Sequence, residues 1–449
     1  MSHTETFFAR GLREMRVSFF LALPLAAGQL AAMAMSLVDS LLAGRHGSVT
    51  LAAVAVGSAL WTIALLLCIG VLMAVPPLVS QLNGGGRRHE IGPLWRQAVW
   101  LALAMGVVLG ALVYVSPLLL DAFGIAAEVR PQAADFLHAI AIGAPALALY
   151  FCFRYLSEGI AWTLPTMLFG IGGLLLLIPL GYALMFGFGP VPELGAAGLG
   201  YATALVLWLQ AAGFFLYLRL SPRFAELALF ARFDRPRWPA IRDLLALGLP
   251  MGVSVFMEGS LFVMTALLIG RLGAIDVAAH QIALNVASMC FMLPLGLAMA
   301  TTVRVGHAAG ADDRAAVRWA AGAGYALVLV TQTAAALLLI FAGRWITGFY
   351  TDDPRVATLA VTLMFYAAVF QYPDGIQALS AGALRGLKDT RVPMIITILA
   401  YWGIGLSLGA WFGLHQGGRA PGLWLGLIVG LSAAAGLLGL RFWRIARRG

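Results

Sequence analysis

The sequence predicts an all-α membrane protein with twelve transmembrane helices, arranged as two parallel six-helix repeats related by a pseudo-twofold axis along the membrane normal. Three observations carry this reading. Hydrophobic residues make up 61% of the 449 and charged residues only 11%, whereas a soluble domain is roughly a quarter charged. Apolar runs long enough to cross hydrocarbon recur along the chain, about twenty helical residues being sufficient. The chain also matches itself at one ungapped offset.

The apolar runs place spans at 17–42, 51–82, 94–120, 136–156, 167–188 and 199–220, then at 244–269, 278–303, 317–341, 357–384, 393–414 and 423–443. The first run is too long for the apolar region of a cleaved signal peptide, so it is expected to remain as helix one. Cys68, Cys152 and Cys290 all fall inside spans without metal-ligand spacing, and read as buried thiols. A net charge of +9 could point to nucleic acid, but its distribution excludes that. With the N-terminus in the cytoplasm, 23 of the 29 Lys and Arg residues collect on the cytoplasmic side, among them Arg10, Arg13, Arg16, Arg385, Arg447 and Arg448. The opposite face keeps Arg45, Arg130, Arg271, Arg344, Arg355 and Arg419. This asymmetry is what the positive-inside rule demands, and it puts both termini in the cytoplasm.

Shifted by 226 residues, Leu23-Pro24 meets Leu249-Pro250, and Leu41 to Arg45 meets Leu267 to Arg271. Gly47, Gly70 and Gly84 then meet Gly273, Gly296 and Gly310 without a gap. A weaker match relates Leu156 to Gly159, followed by Pro165, to Leu384 to Gly386, followed by Pro393. Six spans per repeat is an even number, so both repeats cross in the same sense. The expected organisation is an N-terminal lobe at 1–220, a basic cytoplasmic linker at 221–240 and a C-terminal lobe at 241–449. Such repeats suit alternating access around a site at their interface.

Asp39, Glu258 and Asp374 lie in helices one, seven and ten, surrounded by apolar residues. An intramembrane aspartate costs roughly 2.5 to 3.5 kcal/mol on insertion scales, and such acids usually face a bundle interior or a cavity. Removal from water disfavours a bare carboxylate, so binding a proton or a cation neutralises the site and biases a two-state protein. Asp374 sits in Gln371-Tyr372-Pro373-Asp374-Gly375. Pro373 has no N–H for the carbonyl of Val369, and a freed carbonyl beside a carboxylate invites a cation. Arg154 and Glu158, spaced i, i+4, read as a structural or gating ion pair. Arg304, His307 and Arg385 are placed to snorkel toward the interface, and His280 reads as a packing residue.

The duplication fails at the acids: Asp39 falls opposite Thr265, Glu258 opposite Ala32, and Asp374 opposite Ala146 or Leu147. One scaffold used twice is therefore expected to carry different ion chemistry in each half.

Several segments together resemble the multidrug and toxic compound extrusion (MATE) family, and within it the NorM-like branch. They are Leu23-Pro24 with Val38-Asp39, Glu258-Gly259, Ala279 to Asn285 leading into Pro294-Leu295-Gly296, Thr302 to Gly306, Gln371 to Asp374, and Gly382 to Gly386. The resemblance covers nearly the whole chain. It implies a bacterial inner-membrane exporter of amphipathic, often cationic compounds, driven by inward sodium or proton flow, with no cofactor beyond that ion and a monomer in the bilayer. It further implies a cation site at Glu258 and Asp374, sodium being the metal it would hold, and an N-terminal-half acid at Asp39. Tyr372, Thr203 and the Val369 carbonyl are candidate supporting groups. Relatives place asparagines in helix five around an Ile-Pro-Leu motif, whereas Leu177-Ile178-Pro179-Leu180-Gly181 has no amide. Coupling is therefore expected through Glu258 and Asp374, with Asp39 titrating a proton or facing substrate.

Other classes fare worse. The single lysine, Lys388, is followed by Asp389, so no phosphate-binding loop exists for a primary pump. No zinc-peptidase motif or nucleophile elbow supports a membrane enzyme. A lipid or glycolipid flippase of the same superfamily would want a basic central cavity, whereas the mid-membrane charges are acidic, and Arg154 and Arg304 keep that alternative open if they line the cavity.

Overall fold

The computed structural model describes residues 7–190 and 192–447, and each expected span falls on a helix. In order these are α1 (Phe7–His46), α2 (Ser48–Gly84), α3 (Arg88–Leu119), α4 (Arg130–Ala141 with Ala144–Gly159), α5 (Leu164–Phe186) and α6 (Gly195–Leu220). The second six are α7 (Trp238–Gly270), α8 (Ala274–Gly310), α9 (Arg314–Thr347), α10 (Pro354–Gly386), α11 (Arg391–His415) and α12 (Arg419–Arg447). Twelve spans result when the bent pair in α4 counts as one, and no β-strand occurs among the described residues. Arg448, assigned above to the cytoplasmic side, lies outside the described residues.

The breaks have local causes. Pro145 cannot donate to the carbonyl of Ala141 and its ring crowds it, so α4 bends by 45° at that point. Pro76 and Pro77 do the same to α2, whose regular helix stops at Leu72 and restarts at Val75. The starts of α9 and α10 are capped: Asp313 accepts from the Ala316 N–H at 2.8 Å and Asp353 from the Arg355 N–H at 2.8 Å. The Arg355 N–H also holds the Asp353 carboxyl below the usual carboxylate range. In α11 the ladder widens into π-helix over Leu399–Leu406 and again over Trp411–His415. Such widening recurs at functional sites.

The chain divides into two compact units. The N unit is Ala27–Gly252, and the C unit joins the residues up to Ala26 with those from Val253 onward. Both divisions fall just after the paired prolines Pro24 and Pro250, inside α1 and α7, and they are separated by the same 226 residues as the sequence repeat. The sequence-based lobes differ from these units by the starts of α1 and α7. We retain 1–220 and 241–449 as the proposed repeats.

In the N unit, small residues let backbones approach closely. Gly70 lies against Gly252, and a Cβ on Gly200 would come within 2.8 Å of the Phe136 carbonyl. Phe136 and Phe214 are fully buried. The segment 221–240 is docked on α3 by specific bonds: Arg96 Nε donates to Asp234 at 2.6 Å, Trp100 Nε1 to the Asp234 carbonyl at 2.9 Å, and Arg88 to Glu226 at 2.7 Å. The Arg96 guanidinium holds the Asp234 carboxyl below its ordinary range.

The C unit is built around α8, α10 and α12. Gly382 and Gly386 of α10 sit on the Ala298 and Thr302 carbonyls of α8, and Thr302 Oγ1 donates to the Gly382 carbonyl at 2.8 Å. Trp424 and Tyr401 are fully buried in its core. Gly405, Gly409 and Gly413 of α11 meet the α12 backbone around Gly426 and Gly430.

Candidate functional site

Two of the three intramembrane acids come together in the C unit. Glu258 stands half-buried on α7, and Asp374 is 3% exposed on α10. One turn after Asp374, on the same face of α10, lies the buried Gln377. Its Nε2 donates to Glu258 Oε1 at 3.2 Å, and its Oε1 accepts the Tyr401 hydroxyl at 2.8 Å. Gln377 thus ties Glu258 to a π-helical tyrosine of α11, with Asp374 one turn before it on α10.

The electrostatics of this cluster are unbalanced. The two carboxylates lie within reach of each other's charge, and Asp374 Oδ1 is buried without a protein partner. Arg385, at the end of α10, acts on Glu258 from a distance. A buried acid without a hydrogen-bonded cation is costly, and a neighbouring acid makes it more so. A proton or small cation placed here removes that cost.

A second polar layer lies one turn earlier on α10. Gln332 Nε2 of α9 donates to the Gln371 carbonyl at 2.6 Å and to Gln371 Oε1 at 2.9 Å, while Gln371 Nε2 donates to the Ala287 carbonyl at 3.2 Å. Gly375 makes room for it, since a Cβ there would press on Gln332. These bonds lock α8, α9 and α10 around the acid cluster.

Asp39 lies in the N unit, half-buried, with Oδ1 lacking a protein partner. Its neighbour Val38 packs on Leu177, Ala202 and Val206, and the adjacent Thr203 also keeps Oγ1 buried without a partner. The Tyr372 hydroxyl does not join the C-unit cluster but donates outward to Thr333 at 3.0 Å, and the Val369 side chain is 56% exposed, its carbonyl remaining a proposed supporting group. Helical spacing turns both side chains away from the face of Asp374. The chain continues as helix through Pro373.

The remaining polar residues are structural in their contacts. Arg154 Nε donates to Glu158 at 2.6 Å with both side chains buried, Thr166 Oγ1 donates to the same oxygen at 2.9 Å, and Arg154 reaches Gln29 at 3.1 Å. Arg304, expected to snorkel, instead pairs with Glu14 and donates to the Glu14 carbonyl at 2.9 Å and to Ser18, clamping α8 to the start of α1. His280 accepts the Trp424 indole N–H at 3.1 Å inside the C-unit core, one turn from the Asp276–Arg419 pair. It is a packing residue with a specific partner.

Gln377, Tyr401 and the Gln332–Gln371 layer were not anticipated from the sequence. The spacing Asp374-x-x-Gln377 was the available signal, because it puts an amide on the carboxylate's helical face. Tyr401 had none, since its spacing relative to α10 depends on tertiary packing and on the π-helical turn.

Twelve apolar spans with a carboxylate cluster buried in them define a polytopic membrane protein of the transporter class. The MatE family pattern matches residues 24–183 and 250–411, and the chain belongs to that family, the MATE transporters, in its NorM-like branch. It is 55% identical over 435 residues to a probable multidrug resistance protein NorM of Xanthomonas campestris pv. campestris, covering 97% of this chain and 95% of that protein. It is 43% identical over 448 residues to the multidrug resistance protein PmpM of Pseudomonas aeruginosa, covering 98% and 94%. In fold it is similar to the eukaryotic MATE transporter AtDTX14, with a TM-score of 0.87 at 20% identity over 98% of this chain and 99% of that one.

Proposed function

We propose that the chain exports amphipathic, often cationic compounds across the bacterial cytoplasmic membrane, in exchange for sodium ions or protons entering the cell. The observation that carries this reading is the cluster in which the buried Asp374 and the half-buried Glu258 lie beside one amide, Gln377, itself bonded to Glu258 and Tyr401. Relatives named as multidrug resistance proteins supply the cargo class. An ion bound at the cluster removes the cost of holding carboxylates away from water and shifts the population between two packings of the repeats, which is all that coupling requires. Asp39 then titrates a proton or meets cargo in the N unit. Both termini lie in the cytoplasm, and one copy suffices for transport.

The flippase alternative loses its basic cavity. Arg154 is committed to Glu158 and Gln29, and Arg304 to Glu14 and Ser18, so neither guanidinium is free for an anionic headgroup.

The test uses everted membrane vesicles containing the full chain, with sodium or protons loaded in the lumen. A fluorescent lipophilic cation is expected to accumulate inside while the ion gradient discharges in proportion. Gradient discharge that the cation does not accelerate, together with no accumulation under either ion, would overturn the reading.

A further inference from the structure

Outside the acid cluster, the C unit has a second site with its own chemistry. Between the start of α1 and the helices α9 and α12 lies a groove of about 490 Å³, walled by Phe7, Met15, Trp319, Gly322 and Trp443, with Arg318 at its edge. Among the described residues, no Asp or Glu lines it. Its size is that of a small-ligand pocket, and its walls are hydrocarbon and indole, which suit an acyl chain.

The edge of the groove is cationic. The Arg10 guanidinium lies over the Trp319 ring at 5.1 Å, and Arg10 Nε is buried without a protein partner. Among the described residues Arg318 makes a long 3.4 Å contact to the Ala446 carbonyl, and Arg314 stands one turn before it on α9. Of the nearby acids, Glu14 is taken by Arg304, and Asp313 caps α9. Two guanidiniums with free donors therefore face one edge of an apolar groove. The first turns of α1 also expose Phe7, Phe8 and Leu12 beside Arg10 and Arg13, the pattern of a basic amphipathic segment at a membrane surface.

We propose that this groove is a binding site for an anionic phospholipid, one acyl chain lying against Trp319 and Trp443 and the phosphate held between Arg10 and Arg318. Charge complementarity selects the anionic class, since clustered arginines beside a bilayer attract acidic headgroups and bond phosphate oxygens through the guanidinium fork. The lipid is a resident of the fold rather than cargo. It fastens the start of α1 to α9 and α12.

The test is native mass spectrometry of the delipidated full chain in detergent, titrated with phosphatidylglycerol or with phosphatidylcholine of the same acyl composition. The first phosphatidylglycerol is expected to bind at least about fivefold more tightly than phosphatidylcholine. Arg10→Gln combined with Arg318→Gln should erase that preference. Gly322→Leu should weaken both lipids by filling the groove; a Cβ at Gly322 meets no atom within 4 Å, so this variant tests the site without straining the fold. Equal binding of the two lipids by the unmodified chain, a preference that survives in the double arginine variant, or undiminished binding of both lipids by Gly322→Leu would overturn the proposal. So would glycerol phosphate alone binding as tightly as the whole lipid, because the groove would then have no role.

Discussion

Asp374→Asn and Glu258→Gln are each expected to cut gradient-driven accumulation of a lipophilic cation by at least about tenfold, within the range spanned by typical coupling free energies. Both substitutions are nearly isosteric, and the amides can still accept the bonds that Gln377 donates. What they remove is the charge that an ion neutralises. Downhill exchange of cargo should persist, because the amide variants sit permanently near the neutralised state, while uphill movement fails. Parallel assays of uphill accumulation and of counterflow at equilibrium distinguish this outcome from simple misfolding, which would abolish both.

The second large effect is on stability. Arg154→Met is expected to destabilise the N unit by about 3 to 5 kcal/mol, the cost of leaving a buried acid without its cation. Glu158 is 2% exposed and would retain only the Thr166 hydroxyl. Replacing both partners, as Arg154→Met with Glu158→Leu, should recover much of the loss, since an apolar pair of similar volume demands no compensation. The fraction of monodisperse protein surviving a heating series in detergent reports both effects. Recovery in the double variant marks the pair as structural and not as part of the transport cycle.

Much of the architecture was legible because the bilayer imposes it. An apolar run of sufficient length has to become a helix, and all twelve runs did. The unit boundaries after Pro24 and Pro250 are also 226 residues apart, the spacing of the sequence match. Proline explains the bend in α4, although Pro145 was not recognised as a breaker inside a continuous hydrophobic run. The acids were legible through their cost. Their grouping was not, because which helices adjoin is decided by close approaches such as Gly382 on Ala298 and Gly375 on Gln332. Arg304 illustrates the same limit: its partner Glu14 is 290 residues away, and nothing in the local sequence distinguishes a clamp from a snorkelling side chain. Tyr372 was linked to Asp374 by adjacency in sequence, whereas helical geometry turns its side chain outward.

The central claim is that the coupling ion resides at Glu258 and Asp374 in the C unit and not at Asp39. Its most direct test is ion binding to the purified chain, read as uptake of radioactive sodium and as proton release when cargo is added, in the unmodified protein, Asp39→Asn, Glu258→Gln and Asp374→Asn. The account predicts that the ion signal persists in Asp39→Asn and disappears in the other two variants. A signal lost in Asp39→Asn alone, with both C-unit variants intact, would contradict it.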